Sequence, residues 1–226
     1  MADSGQIDPR ENDPRRGDPG PTYRQRANAW AERSPWSNVV VLGTIVVAVF
    51  LIFYFRPFGG HDPENDRAVG QKLPLVELRR LTGNSSSITR ADLENRVVLI
   101  SFWGPWCPPC RKELPYVAEI GKKFSGDSAF KLLPVSCGPP GQAEDLHSLR
   151  LDTARLLEQV GVDMPTYSDP GAATRKAFDA VGSFRGYPTT FILDRNGVIR
   201  AVWTGFHSRA AAQMEEFVAR LLNEQG

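Results

Sequence analysis

Residues 101–115 read SFWGPWCPPCRKELP, and they place two cysteines, Cys107 and Cys110, between two contrasting patterns of apolar residues. The run before the pair, Val97–Trp103, is apolar almost throughout, which is typical of a strand buried on both faces. The stretch after it, Glu113–Phe124, repeats apolar residues at steps of three and four, which predicts an amphipathic helix. The pair therefore lies between a buried strand and a helix.

The Cys-x-x-Cys spacing is shared by zinc sites and redox sites. A zinc site needs two further ligands, but the chain has only one other cysteine, Cys137, and its three histidines form no second ligand pair. A redox pair is therefore the better interpretation, and we expect neither a metal nor another cofactor.

The position of the pair at a helix start also favours redox chemistry. Cys107 would face the positive end of the helix dipole and nearby backbone donors, which favour the thiolate over the thiol. The thiolate is the nucleophile in thiol-disulfide exchange. Cys110 follows one helical turn later, close enough to form a disulfide with Cys107 and turned inward, so it is the candidate resolving thiol.

Composition excludes several other classes of protein. The chain has 226 residues, of which 41% are hydrophobic and 23% are charged, and this excludes a mostly disordered protein. Its 27 Lys and Arg residues nearly balance its 26 Asp and Glu residues, so no strong basic field is available to bind nucleic acid. Three cysteines are too few for a small disulfide-stapled fold.

The region 73–226 has the length and the pattern of one α/β domain. Strand patterns alternate with helical patterns, and an Asn-Gly turn at residues 196–197 predicts an antiparallel hairpin near the end. We therefore expect a mixed central sheet flanked by helices. The further predicted elements are an opening hairpin around 73–86, strands at 130–137, 164–168, 189–193 and 198–204, and helices at 147–160, 172–181 and 208–222.

Three segments precede this domain. Residues 1–35 are rich in Pro, Arg and acidic residues, so we expect a disordered arm. Residues 36–55 are uncharged and mostly apolar, and as a helix they span about 30 Å, the thickness of a bilayer core. An uncleaved transmembrane anchor is favoured over a signal peptide, because the preceding region is long and no small-residue cleavage site follows. Residues 56–72 are expected to be a linker.

The sequence FWGPWCPPCRKELP at residues 102–115, followed by GYPTTFILDRNGVI at residues 186–199, resembles the thioredoxin superfamily. It is most similar to the TlpA-type branch of membrane-anchored thiol-disulfide oxidoreductases, which includes ResA-like and cytochrome c maturation thioredoxins. The resemblance covers residues 73–226. It implies a thioredoxin-like fold with an N-terminal hairpin and an inserted helix-strand unit. It also implies a single-pass inner-membrane location, with the domain on the periplasmic or extracytoplasmic side.

The resemblance implies roles for individual residues. Cys107 would attack the substrate disulfide, Cys110 would resolve the mixed disulfide, and Trp106 would shield the pair at the substrate-binding surface. Glu113 matches an active-site glutamate that handles the proton of the buried thiol. The alternative for Glu113 is a solvated carboxylate that stabilises the helix N-terminus.

Pro188 matches the cis-proline that the superfamily places across from the cysteines. A cis bond there would leave the backbone of Tyr187 free to pair with an extended substrate chain. Taken alone, Gly-Tyr-Pro more often forms an ordinary trans turn.

Two positions depart from the superfamily pattern. Ser101 stands where ordinary thioredoxins bury an aspartate, and Cys137 is an additional thiol, either buried and inert or part of a regulatory or intermolecular disulfide.

These observations predict a membrane-anchored thiol-disulfide oxidoreductase that reduces protein disulfides outside the cytoplasm. The expected partners are protein disulfides, among them those of apocytochrome c, a membrane electron donor and the lipid bilayer, but no nucleic acid. Two alternatives stay open. One is a thiol peroxidase of the same superfamily, although no Pro-x-x-x-Thr-x-x-Cys pattern ends at Cys107. The other is a non-enzymatic redox sensor or scaffold that uses the N-terminal arm.

Overall fold

A computed structural model of the chain describes residues Thr22, Arg24, 39–48, 62–72, 75–182 and 184–224. The chain divides into two compact units, Met1–Gly60 and His61–Gly226.

The first unit includes an apolar helix at residues 39–48, whose large side chains are exposed. Within the residues that the structure describes, no helix combines the length and the apolar character needed to cross a membrane. The rest of the predicted anchor at 36–55 and nearly all of the predicted arm at 1–35 lie outside the described residues. The anchor therefore stays a prediction.

The second unit is a mixed sheet with helices packed on it. In its described part the strands and helices are β1 Glu77–Thr82, β2 Ile88–Thr89, β3 Val97–Trp103, α1 Pro108–Lys123, β4 Phe130–Ser136, α2 Leu146–Val160, β5 Thr166–Ser168, α3 Ala173–Ala180, β6 Thr189–Leu193, β7 Ile199–Thr204 and α4 Ser208–Asn223. The strands form one sheet in the order β2-β1-β5-β4-β3-β6-β7. β4 pairs in parallel with β3 and with β5, and the other neighbouring pairs are antiparallel. The expected mixed sheet is confirmed.

Strand β3 lies inside the sheet and sends alternate side chains to opposite faces. Leu99 joins an apolar cluster with Ile120 of α1 and Phe217 of α4. Phe102 joins a second cluster, on the other face, with Phe178 of α3. Helices therefore cover both faces, and this explains why β3 is apolar along most of its length.

Most core elements agree with the sequence prediction within two residues at each end. The exception is the opening hairpin, expected around 73–86, whose strands β1 and β2 lie at Glu77–Thr82 and Ile88–Thr89. Helix α1 begins at Pro108, directly after Cys107, as expected from the position of the cysteine pair, although its apolar pattern starts only near Glu113. Two prolines occupy its first turn, where their missing N–H groups cost no hydrogen bond. The apolar repeat begins only further along, so periodicity alone misses the start of this helix.

Residues 62–72, which the sequence assigns to the linker, belong to the second unit and pack against its strand β7. The backbone N–H of Gly70 donates to the carbonyl oxygen of Ile199 at 2.8 Å. The N–H of Ile199 donates in turn to the carbonyl oxygen of Gln71 at 2.9 Å. Ala68 is fully buried. The described part of the predicted linker is therefore not free, because it hydrogen-bonds to β7.

Candidate active site

The two cysteines lie at the junction of β3 and α1. Cys107 is the N-cap of α1, and its Sγ atom accepts a hydrogen bond from the backbone N–H of Cys110 at 3.3 Å. The two residues form a disulfide with 5.3 Å between their Cα atoms. Cys107 is 2% exposed and Cys110 is fully buried. The structure thus shows the oxidised form of the pair, with Cys110 on the inner side.

Backbone and side-chain hydrogen bonds fix the turn before the helix. The N–H of Cys107 donates to the carbonyl oxygen of Gly104 at 3.0 Å. The guanidinium group of Arg111 donates to the carbonyl oxygen of Pro105 through Nε at 3.3 Å and through Nη2 at 3.0 Å. These bonds tie the loop to the first turn of α1, so the cysteines keep a defined position.

Trp106 lies beside the disulfide and bridges two loops. Its indole N–H donates to the carbonyl oxygen of Cys137 at 3.0 Å, and its ring meets that of Tyr187 edge to face at 5.1 Å. The side chain is partly exposed. A Cβ atom at Gly104 would lie 2.4 Å from the indole nitrogen, so only glycine fits at that position. The structure places Trp106 at the rim of the site, and its shielding of the pair stays a prediction.

Glu113 is buried in α1, and it is not the solvated carboxylate of the alternative interpretation. The hydroxyl group of Thr190 donates to its Oε1 atom at 3.0 Å, whereas its Oε2 atom has no hydrogen-bond partner in the described part of the chain. Burial raises the pKa of Glu113 to about 7, and the bond from Thr190 opposes this rise. The carboxyl group can therefore gain or lose a proton near neutral pH.

The Tyr187–Pro188 peptide bond is cis, as the resemblance implies. The carbonyl oxygen of Pro188 accepts a hydrogen bond from the N–H of Gly205 at 2.8 Å. Pro188 directly precedes β6, and the next residue, Thr189, pairs with Phe102 of β3. This register places the cis-proline loop at the same end of β3 as the cysteine pair.

Cys137 is buried at the end of β4, where its thiol contacts other polar groups. Burial raises its pKa to about 12, although the nearby Arg175 guanidinium favours the thiolate. The thiol donates to the carbonyl oxygen of Val135 at 3.8 Å. It is therefore neutral at physiological pH, which agrees with the inert interpretation and not with a reactive thiol.

The structure adds one residue that the sequence did not single out. Arg175 of α3 donates a hydrogen bond to the hydroxyl group of Tyr187. Its guanidinium group also lies 5.9 Å from the ring centres of Tyr187 and Phe184. Nothing in the local sequence distinguishes Arg175 from an exposed helical cation, so only the fold reveals the contact.

A cleft of about 510 Å³ opens beside Trp106, between the cysteine loop and α2. Polar and apolar side chains both line it, among them Arg111, Glu144 and Leu156. A cleft of this size next to a thiol pair can accept side chains of a bound polypeptide. In the part of the chain that the structure describes, no group of three or more His, Cys, Asp and Glu side chains could hold a metal ion.

Comparison with known proteins gives consistent matches. Residues 69–202 match the AhpC/TSA family. The thiol-disulfide oxidoreductase ResA of Halalkalibacterium halodurans is 29% identical over 183 residues, which are 81% of this chain and 92% of that protein. The ResA protein of Geobacillus thermodenitrificans is 30% identical over 138 residues, which are 61% of this chain and 70% of that protein.

A solved structure from Chlorobium tepidum, described as a thiol:disulfide interchange protein DsbE, is 25% identical. It superposes with a TM-score of 0.55 and covers 69% of this chain and 98% of its own. The similarity to thioredoxin-like thiol-disulfide oxidoreductases is thus confirmed in both sequence and fold. The family match spans more than half of the chain, and the chain therefore belongs to the AhpC/TSA family of thioredoxin-like proteins.

Proposed function

We propose that the chain is a membrane-anchored thiol-disulfide oxidoreductase that reduces protein disulfides outside the cytoplasm through Cys107 and Cys110. The observation that supports this proposal is the buried cysteine pair at the start of α1. The two cysteines form a disulfide, and they lie at the end of β3 that faces the cis-proline loop. Relatives named as thiol-disulfide oxidoreductases support it.

The reaction transfers two electrons from the dithiol to the substrate. The Cys107 thiolate attacks one sulfur atom of the substrate disulfide, and the other substrate sulfur leaves as a thiolate and takes up a proton. Cys110 then loses its proton and attacks Cys107 in the mixed disulfide, which releases the second substrate thiolate. The substrate is released as a dithiol, and the enzyme is left with the Cys107–Cys110 disulfide.

Glu113 is the residue that we assign to the proton of Cys110. The thiol is fully buried, so water is a poor acceptor for its proton. A buried carboxyl group in the same helix, three residues on and with a pKa of about 7, can take that proton and later return it to solvent. Ser101, which replaces the usual aspartate, offers no ionisable group for this step.

The substrate chain would bind across the cis-proline loop. An extended polypeptide can pair with the backbone of Tyr187, as an added strand pairs with a sheet edge. Trp106 would cover the reacting sulfur atoms, since its ring already contacts Tyr187 at 5.1 Å. Disulfides of apocytochromes c are the substrate class we propose, and a membrane-bound electron donor that supplies two electrons would restore the dithiol.

We propose that residues 36–55 anchor the enzyme and that its domain faces the periplasm or the equivalent extracytoplasmic space. The support is the uncharged apolar run, together with a redox pair suited to a compartment where protein disulfides persist. In a bacterial host, the full chain should sediment with membranes and resist alkaline extraction, and protease added to spheroplasts should digest the domain. A full chain found in the soluble fraction would contradict the anchor.

Trapping tests the proposed chemistry. The variant Cys110→Ser cannot resolve the mixed disulfide, so it should accumulate substrate proteins bound covalently to Cys107. The double variant Cys107→Ser/Cys110→Ser is the matched control and should trap nothing, because it lacks the attacking thiol. Absence of any trapped protein, together with rapid consumption of hydrogen peroxide by the wild type, would instead support the peroxidase alternative.

A further inference from the structure

The side chain of Tyr187 is held on several sides, although it belongs to a loop. Its ring meets Trp106 at 5.1 Å and Phe184 at 5.2 Å, both edge to face. Its hydroxyl group accepts a hydrogen bond from Arg175, whose guanidinium group also lies over the Tyr187 ring. Tyr187 is the residue of the cis-proline loop whose backbone the substrate chain would meet, so its position matters for binding.

Arg175 belongs to a firmly fixed helix. The buried carboxylate of Asp169 accepts the backbone N–H groups of Thr174 at 2.9 Å and of Arg175 at 2.8 Å. Three residues further on, Phe178 packs against Phe191 of β6, with 4.5 Å between ring centres. The guanidinium group of Arg175 therefore extends from a helix that is capped at one end and held in the core at the other.

Trp106, the other aromatic neighbour of Tyr187 near the cysteines, is also held in place. Trp106 donates its indole N–H to the carbonyl oxygen of Cys137 at 3.0 Å. A continuous path of contacts thus runs from α3 through Arg175 and Tyr187 to Trp106 and the end of β4. Because guanidinium stays protonated at any physiological pH, this path does not depend on a titrating group.

We propose that Arg175 is a positioning residue for polypeptide substrates, holding Tyr187 and the cis-proline loop in register with Cys107. This inference rests on the proposed function. Arg175 does not touch the reacting sulfur atoms, and it acts through the Tyr187 hydroxyl group and ring. A polypeptide that pairs with the loop backbone needs that register, whereas a small disulfide needs only access to Cys107.

The experiment measures single-turnover oxidation of the reduced full chain by two probes, insulin and the small aromatic disulfide DTNB. For Arg175→Met we expect the insulin concentration at half-maximal rate to rise about 10-fold, the size expected for losing one charge-assisted hydrogen bond. The limiting rate with insulin and the rate with DTNB should stay within about twofold of wild type. Arg175→Lys keeps a cationic donor and should recover part of the loss.

Two further variants separate positioning from general structural damage. Tyr187→Phe removes the hydroxyl acceptor, so adding Arg175→Met to it should change the insulin dependence far less than it does in the wild type. Lys176→Met is the matched control, since this neighbouring cation on α3 is exposed, and it should behave as wild type.

Two results would overturn the inference. One is an Arg175→Met enzyme whose insulin dependence equals that of wild type. The other is an equal loss with both probes, which would indicate a structural role only. A wild-type enzyme that reduces neither probe would instead refute the proposed function, so the two failures can be told apart.

Discussion

At the scale of single residues, Glu113 is the buried acid of the helix that begins at the cysteine pair. Its carboxyl group lies in the interior of a mixed sheet-and-helix core, with one oxygen bonded to Thr190 and the other without a partner in the described structure. An apolar residue at this position would lose only the hydrogen bond from Thr190, and it would not bury an ionisable group. A buried acid whose pKa is raised to about 7 is suited to the proton transfer that we propose at Cys110.

The variant Glu113→Gln should change the pH dependence of the reaction. In the wild type, the resolving step should accelerate as pH rises through about 7, because the Glu113 carboxylate then accepts the Cys110 proton. The variant should lack this ionisation and be slower by about 100-fold above neutral pH. Stopped-flow measurement of substrate release between acid and alkaline pH tests this, and an unchanged profile would remove Glu113 from the mechanism.

The same substitution should alter stability in a defined direction. The folded-state pKa of Glu113, about 7, lies above its ordinary value of 4.5, so between these values the folded chain binds more protons than the unfolded chain. The free energy of unfolding should therefore fall as pH rises across this window, by about 3 kcal/mol in total. Glu113→Gln should lack this loss. Urea unfolding of both proteins at each end of the window measures it, and parallel pH curves would contradict it.

The sequence identified the residues whose signal is local. Cys107 and Cys110 are indicated as a redox pair because the sequence offers no second ligand pair for zinc, and the resemblance to the thioredoxin superfamily implies the role of Glu113, three residues on. Arg175 could not be identified in this way. It contacts Tyr187 only because α3 packs on the sheet beside β6, the strand that directly follows the cis-proline loop. No sequence pattern links these two segments of the chain.

At the scale of elements, the junction between β3 and α1 fixes the site. A long apolar strand and a helix with two prolines in its first turn leave only a short loop, and Gly104 lets the Trp106 ring fold back across it. The strand was predictable because a strand covered on both faces is apolar almost throughout. The helix start was predictable from the position of the cysteine pair and not from the apolar pattern, because the first turn contains no apolar repeat.

Gly104→Ala tests this junction. Its new Cβ atom would lie 2.4 Å from the Trp106 indole nitrogen and 2.9 Å from the carbonyl oxygen of Cys137, so the indole hydrogen bond should break. We expect a loss of about 2 kcal/mol in the free energy of unfolding and higher solvent exposure of Trp106. Gly126→Ala is the control, because its Cβ atom would have no neighbour within 4 Å. Equal stabilities of the two variants would contradict the prediction.

At the scale of the whole molecule, the boundary of the domain lies earlier than the composition suggests. The segment 62–72 is rich in polar residues, and such a composition predicts a linker. It is nevertheless held by backbone hydrogen bonds to β7 and by an ion pair of 3.1 Å between Arg220 and Glu64. Backbone pairing with an edge strand depends little on side chains, so hydropathy cannot reveal it.

Two truncations test this boundary. A chain that begins at Asp62 keeps every contact of the segment, whereas one that begins at Leu73 loses the two hydrogen bonds with Ile199 and the burial of Ala68. We expect the shorter chain to have a free energy of unfolding lower by about 2 kcal/mol, from roughly 1 kcal/mol for each lost hydrogen bond. Denaturant unfolding measures the difference, and equal midpoints would restore the linker interpretation.

Cys107 and Cys110 should form a reversible dithiol that reduces protein disulfides. Pro-Pro separates the cysteines, and no histidine stands between them to stabilise the thiolate, so the pair should not be a strong oxidant. The most direct measurement is the reduction potential of the full chain, equilibrated with glutathione or dithiothreitol buffers. We expect a value below about −200 mV, whereas a value near about −120 mV, or no reversible couple, would contradict a reductase.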